Sequence, residues 1–335
     1  MSLLGPEIHL LNPLWDAAGG SEWRTIELFR ELRERCNVTL WSEHAIDPQF
    51  AAEYPIRRIS TFRSQFPQTG TLVVVGVYFK IGRWYRRTNF HRVIVVYNTF
   101  LRKQLQKKIK QLSMDGKHNV ELVYASKWLQ GATGLPGLTQ QSLIDLSRFT
   151  PMERTLAGQR LGRFIVGRLS RDVPEKHHGR DPELYRSLVS AGCEVKVMGG
   201  TCLRPHLKKA SNIELLPAQS MDASHFLRNL DCFYYRTSDR LLEGAGRVVA
   251  EAMACGLPVV CHRLGGYREM IEHERTGFLF DTDEEAFQTI VRLKQDQNLR
   301  ETVGQAARRS MESLYSLSER QKIINYYING PRQLN

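Results

Sequence analysis

The chain has 335 residues, with 47 Lys plus Arg against 35 Asp plus Glu and a net charge of +12. That length exceeds what one hydrophobic core organises, so two domains are expected, and no apolar run approaches the roughly 18 residues of a membrane span. The charge excess suits an anionic partner, whether nucleic acid, a phosphorylated small molecule or an acidic membrane face, and by itself selects none of them.

The first residues lack a cationic start leading into a long apolar segment, so a cytoplasmic chain is expected. Glu7–Asn12 reads as a strand, Gly20–Glu34 as a helix and Asn37–Trp41 as a second strand; Thr71–Val75, Arg92–Tyr97 and Val120–Tyr124 continue the set. Between the last two lies Leu101–Lys110, LRKQLQKKIK, with five cations in ten residues. Leu101, Leu105 and Ile109 would line one stripe of a helix there. That helix either packs on its own sheet with a solvated cationic face or makes a peripheral contact with anionic membrane. Gly131–Arg154, rich in Gly, Pro, Ser, Thr and Gln, is the candidate interdomain connection. A second series follows at Arg163–Val166, Glu194–Met198, Ile213–Leu215, Cys232–Tyr235 and Pro258–Cys261, and from Asp283 the pattern is helical. The six cysteines form no CxxC pair and read as small buried hydrophobes of a reducing compartment.

Strands alternating with helices predict an α/β protein of two doubly wound Rossmann-like sheets in tandem: residues 1–153, residues 154–315, and a helix at 316–335 returning to the first domain. Ligands of such sheets bind beyond the carboxyl ends of the strands, here in the cleft that two facing domains would form.

Three stretches follow strands and carry polar chemistry. In Asp16–Glu22, Gly19 and Gly20 allow unusual backbone angles and can bring amides close to a ligand, or they form a plain turn capped by Ser21. No GxGxxG is present, so a dinucleotide fingerprint is not supported. In FIVGRLSRDVPEK, 164–176, the strand is read as ending at Gly167, with Arg168, Arg171 and Lys176 beyond it. Such cations can hold a pyrophosphate, or merely make a basic surface loop. In EGAGRVVAEAMACGLPVV, 243–260, a glycine-rich loop opens a helix from about Gly246 to Ala254. Amides around Gly246, Arg247 and Val248 suit phosphates. Glu243 and Glu251 differ by about 80° around a helix axis and can edge one cleft. A glutamate set among alanines and valines fits an acceptor for two neighbouring sugar hydroxyls, and a single exposed surface charge is the alternative.

These residues resemble a family. EGAGRVVAEAMACGLPVV followed by Leu264–Glu269 is similar to the E-x7-E segment of retaining glycosyltransferases of family four, which have the GT-B fold. Gly19–Glu22 resembles that family's GGxE loop, Ile144–Pro151 its interdomain iDlerFxP signature, Gly167-Arg168-Leu169 with Lys176 its phosphate-binding element, and Arg275–Leu279 its xtGfL strand. The matches run in the family's order over about residues 19 to 280, and it is this order that is specific.

The resemblance implies a nucleoside-diphosphate sugar as donor, an unidentified glycan or lipid-linked acceptor, retained anomeric configuration, and no metal or other cofactor. It implies that Arg168 and Lys176 bind the diphosphate with amides near Gly246, Arg247 and Val248, that Glu251 holds the ribose, that Glu243 contacts the donor sugar, and that Gly19 and Gly20 close over the phosphates or acceptor. The Arg168-to-Lys176 spacing is longer than the family's, so Arg171 can share the role. Where the family often has a histidine, this chain has Asn98, a hydrogen-bonding candidate for the catalytic set. A non-catalytic nucleotide-sugar-binding protein of the same fold and a sugar-nucleotide epimerase are the alternatives, and no nucleic-acid recognition motif is visible.

Overall fold

The computed structural model describes residues 6–114, 116–152, 163–207 and 211–331. The chain divides into two compact units, Met1–Leu143 with Leu317–Asn335 and Ile144–Ser316. The division falls ahead of the expected boundary at 153 and 154, residues that lie outside the described set.

The first unit is built on seven parallel strands: β1 Glu7–Leu11, β2 Asn37–Ser42, β3 Ile56–Arg58, β4 Thr71–Val75, β5 Arg92–Tyr97, β6 Val120–Tyr124 and β7 Leu138–Thr139. Their spatial order is β3-β2-β1-β4-β5-β6-β7. β4 and β5 are runs of Val and Ile because both faces of a central parallel strand are covered; Val73, Val75, Ile94 and Val96 are wholly buried. The helices are α1 Gly20–Leu32, α2 Pro48–Glu53, α3 Arg102–Ser113 and α4 Lys127–Thr133. On α3, Leu105 and Leu112 are buried, and so is Lys108, whose ammonium donates to Phe79 O at 2.6 Å. Burial drives the Lys108 pKa down to about 8. The inward face of α3 is thus Leu105, Lys108 and Leu112, with one of the five cations in it, while Leu101 and Ile109 of the expected stripe are only half-buried. None of the described helices is long and apolar enough to cross a membrane.

In the second unit the strands are β8 Ile165–Leu169, β9 Glu194–Met198, β10 Ile213–Leu216, β11 Cys232–Tyr235, β12 Val259–His262 and β13 Phe278–Phe280. They are parallel, in the order β10-β9-β8-β11-β12-β13, the arrangement of the doubly wound nucleotide-binding sheets. The helices that follow are α5 Asp181–Ser190, α6 Ala223–Arg228, α7 Arg247–Ala254, α8 Asp283–Gln295 and α9 Gln297–Leu314. α10, Leu317–Asn329, belongs to the first unit, where Tyr327 donates its hydroxyl to Gln140 Oε1 at 2.8 Å. All six cysteines are free, and four of them are buried.

One strand differs from its expected bounds in a way that matters. β8 does not end at Gly167: Arg168 and Leu169 continue the ladder opposite Val197 and Met198. The turn after β9 closes against it. Gly199 has φ of +80°, and a Cβ there would lie 1.8 Å from Ser170 O. Gly199→Ala is expected to cost about 2–4 kcal/mol in urea unfolding, from left-handed strain plus a backbone overlap that no rotamer relieves.

Candidate functional site

In the second unit the sheet order reverses between β8 and β11, and the crevice beyond the carboxyl ends of two such strands is where an open α/β sheet takes a ligand. Arg168 near the end of β8 and Tyr235 at the end of β11 flank this point, with Arg236 next in the chain.

Arg168 lies deeper than a strand-end cation would. It is 1% exposed, still in the ladder opposite Val197. Its guanidinium lies over the Tyr235 ring at 4.9 Å, donates from Nη1 to Arg236 O, and is 3.7 Å from Asp181 Oδ2. Nε and Nη2 have no hydrogen-bond partner among the described residues. Asp181 opens α5 and is wholly buried. Its Oδ1 accepts from Arg236 Nε and Nη2 at 3.1 and 2.8 Å and from the Tyr234 hydroxyl at 2.9 Å; its Oδ2 accepts from His178 N at 2.9 Å. Arg236 also pairs with Asp283. Arg168 and Arg236 with Asp181 and Asp283, the last also paired with the exposed Arg180, thus form a floor in which each buried charge faces an opposite one, as charges held away from water require. His177 beside it is buried and kept neutral, its pKa driven down to about 4 by burial and by the Arg168 charge.

Beyond this floor, Lys176 and Glu243 meet. Lys176 closes the turn Pro174–Lys176, and its ammonium pairs with Glu243 Oε2, which also accepts the Tyr235 hydroxyl at 3.0 Å. Both side chains are largely buried, at 13% and 17% exposure. Burial pushes the Glu243 carboxyl upward, but Lys176, the Tyr235 hydroxyl and the Arg171 charge outweigh it, so the group stays below the ordinary carboxylate value. The long loop reaches this far because Asp172 ties it down, accepting from Cys202 N at 2.9 Å and from Thr201. Arg171 is exposed beside it. Glu243 is fixed from the other side, where Gly266 N donates to its carbonyl at 2.9 Å. Gly265, with φ of +81°, lets that backbone approach: a Cβ would lie 2.7 Å from Glu243 O.

Gly246, with φ of +64°, turns the loop into α7, and its Cα face lies against Tyr267. A side chain would not fit, since a Cβ there would be 2.7 Å from Tyr267 Cβ. On the first two turns of α7, Arg247 Nε donates to Glu251 Oε1 at 2.7 Å. Their side chains are 7% and 9% exposed, so Glu251 is not a solvated surface charge. Val248 is half-buried on the same first turn.

Gly19, Gly20 and Asn98 belong to the first unit. Gly19 is the residue before α1, and a Cβ on it would be 2.0 Å from Glu22 Oε2; Gly20 begins the helix and is exposed. Asn98 accepts from Arg24 Nη1 at 2.8 Å and donates to Ser21 Oγ at 3.3 Å. Both ends of its amide are engaged within that unit, which ties the end of β5 to α1.

The structure therefore gathers Arg168, Arg171, Lys176 and Glu243 at the switch point of the second sheet and places Gly246, Arg247, Val248 and Glu251 on one loop and helix start. Asp181, Arg236, Tyr235 and Asp172 escaped the sequence reading. Arg236 follows a strand directly and Asp181 opens a helix, positions that signal a site, but their pairing spans 55 residues of chain. No group of three or more His, Cys, Asp or Glu side chains with metal-holding geometry occurs among the described residues.

Residues 200–310 match the family of glycosyl transferases group 1. In sequence the chain is 34% identical over 171 residues to a GDP-mannose-dependent alpha-(1-6)-phosphatidylinositol monomannoside mannosyltransferase of Mycolicibacterium smegmatis, covering 44% of each. It is 30% identical over 201 residues to a D-inositol 3-phosphate glycosyltransferase of Salinispora arenicola, covering 50% of this chain and 43% of the other. The matches thus span less than half the length of these curated relatives. In structure the chain resembles HepE of Anabaena in complex with UDP-glucose, with a TM-score of 0.73 at 17% identity over 97% of this chain and 100% of that one. Sucrose-phosphate synthase from Thermosynechococcus elongatus gives 0.71 at 16% identity over 96% and 98%. The fold is that of the GT-B proteins, with two Rossmann-like parallel-sheet domains.

Proposed function

We propose that the chain is a glycosyltransferase that moves a hexose from a nucleoside-diphosphate donor to a glycan or lipid-linked acceptor, with retention at the anomeric carbon. The observation that supports it most is the meeting of Lys176, Arg171 and Glu243 at the β8–β11 switch point, over a floor that holds Arg168. A diphosphate needs compact positive charge close to its bridging oxygens. Lys176 and Arg171 supply it at the rim, the start of α7 adds its dipole, and Arg168 contributes charge from beneath.

In this proposal the bond from the anomeric carbon to the diphosphate oxygen breaks as the acceptor oxygen bonds to the same face. The acceptor proton ends on the departing phosphate. The transition state is oxocarbenium-like, and catalysis comes from fixed cations placed where the leaving group gains charge. Glu243, held ionised by Lys176, lies where it can accept from the donor sugar's hydroxyls. Glu251, oriented by Arg247, accepts from the ribose. Asn98 is assigned no proton-transfer step, since its amide holds Arg24 and Ser21.

The test is release of nucleoside diphosphate from a panel of UDP-, GDP- and ADP-sugars, with product stereochemistry read by NMR. Release with a retained anomer supports the proposal. Tight nucleotide binding without release from any donor, in the presence of broad acceptor mixtures, overturns transfer and leaves a non-catalytic nucleotide-sugar-binding protein.

Glu251→Gln is expected to weaken a ribonucleoside diphosphate about 10- to 100-fold in calorimetry, because a charged acceptor of two hydroxyls becomes a neutral one. The matching dideoxy analogue should lose much less. Equal losses for both would make Glu251 a structural partner of Arg247 only.

A further inference from the structure

Residues 54–114 contain 13 Lys or Arg and no Asp or Glu. The rest of the chain holds 34 cations against 35 acids, so the whole net charge of the protein resides in this stretch. Part of it is used internally: Lys108 is buried, and Arg92 pairs with Glu121. Arg57, Arg58, Arg63, Arg83, Arg86 and Arg87 are all exposed, and none makes an ion pair among the described residues.

Next to Arg63 in the chain, and four residues beyond Arg58, stands Phe62, 97% exposed. It does not dangle from a loose loop. Ser60 N donates to Gln65 O at 2.8 Å and Gln65 N to Ser60 O at 2.9 Å, closing a short turn with Phe62 near its tip. At the foot of the turn Phe66 is buried against Trp84, ring centroids 6.0 Å apart, with the Arg87 guanidinium over it at 5.2 Å. The turn is thus clamped to the unit, and Phe62 has no core of its own to fold into.

We propose that the first unit docks on an anionic lipid surface through the turn Ser60–Gln65, with Phe62 entering the headgroup layer and Arg58, Arg63 and Arg87 on lipid phosphates. A single apolar side chain at the tip of a cationic protrusion is the combination that an anionic interface rewards, one part by burial and the other by charge. A single-stranded nucleic acid would want several stacking faces in a row, and here Phe66, Trp84 and Tyr85 are buried. Helix α3 adds the exposed charges Arg102, Lys103, Lys107 and Lys110, with Leu105 and Leu112 buried in its own unit. The docking surface lies wholly within the first unit.

The experiment is sedimentation of the full chain with large vesicles of phosphatidylcholine alone or with about one-third phosphatidylglycerol. Binding is expected only to the anionic vesicles and should be lost near about 0.5 M salt, where exposed charges are screened. Phe62→Ser should lower the partition coefficient about tenfold, and Phe62→Trp should add a blue-shifted emission with anionic vesicles but not with heparin. Because residue 62 touches no core, both variants fold. Absence of binding to anionic vesicles, an unchanged partition for Phe62→Ser, an unshifted tryptophan, or tighter binding to a single-stranded oligonucleotide than to vesicles would each overturn the proposal.

Discussion

Lys176→Ala should lower kcat for donor cleavage by about 10²- to 10³-fold, the usual loss when a fixed group facing developing charge is removed. The effect is large because Lys176 has two tasks. It faces the place proposed for the departing diphosphate, and it is the main partner of Glu243, whose carboxylate is largely buried. Without the ammonium, the strongest opposition to burial is lost, and the Glu243 carboxyl rises. The stability change has a definite sign. A carboxyl held below its ordinary value stabilises the fold at pH above that value, and the contribution disappears as pH falls through the folded value. Lys176→Ala should therefore flatten the acid limb of the unfolding midpoint against pH as well as slow turnover. Lys176→Arg, which keeps the charge, should retain the acid limb while its bulkier fork still impairs kcat. A Lys176→Ala enzyme with unaltered kcat would remove the residue from the leaving-group role.

The second large effect is structural. Asp181→Ala should destabilise the protein by about 3–5 kcal/mol, the cost of leaving a buried ion network without one member. That is a large share of the roughly 5–15 kcal/mol that holds a folded protein together. Asp181 is wholly buried and takes hydrogen bonds from Arg236, Tyr234 and His178 N, with Arg168 3.7 Å away. Arg236 keeps Asp283, but Arg168, 1% exposed, would be left with no paired carboxylate among the described residues. Urea unfolding measures the loss. Asp181→Asn should fall between the wild type and Asp181→Ala, since it keeps the acceptor oxygen and loses the charge. A loss below about 1 kcal/mol for Asp181→Ala would mean that water reaches these arginines.

Much of the architecture is legible in the sequence because parallel sheets write themselves as short apolar runs between helical patterns. Strands such as Thr71–Val75 and Cys232–Tyr235 are read at their observed bounds. β3 and β7, of three and two residues, are too short to carry a periodicity. The end of β8 is misplaced because Gly167 resembles a stop. Only the pairing partner shows that the ladder continues, and with it the burial of Arg168. Local motifs find Lys176, Glu243 and Glu251. They cannot find the floor beneath them, where Asp181 and Arg236 meet across 55 residues. Nor do they show that the cationic helix at 102–113 turns Lys108 inward, since five cations in ten residues look alike in sequence.

In the proposed function the switch point of the second sheet holds a nucleoside diphosphate. Thermal unfolding of the wild type and of Lys176→Ala with UDP, GDP and ADP measures this most directly, because a ligand specific to the folded state adds about 2.7 kcal/mol at a hundredfold excess over Kd. At least one of the three nucleotides should raise the Tm of the wild type, and that rise should be lost in Lys176→Ala. No rise with any of them, or an equal rise in the variant, would contradict the claim.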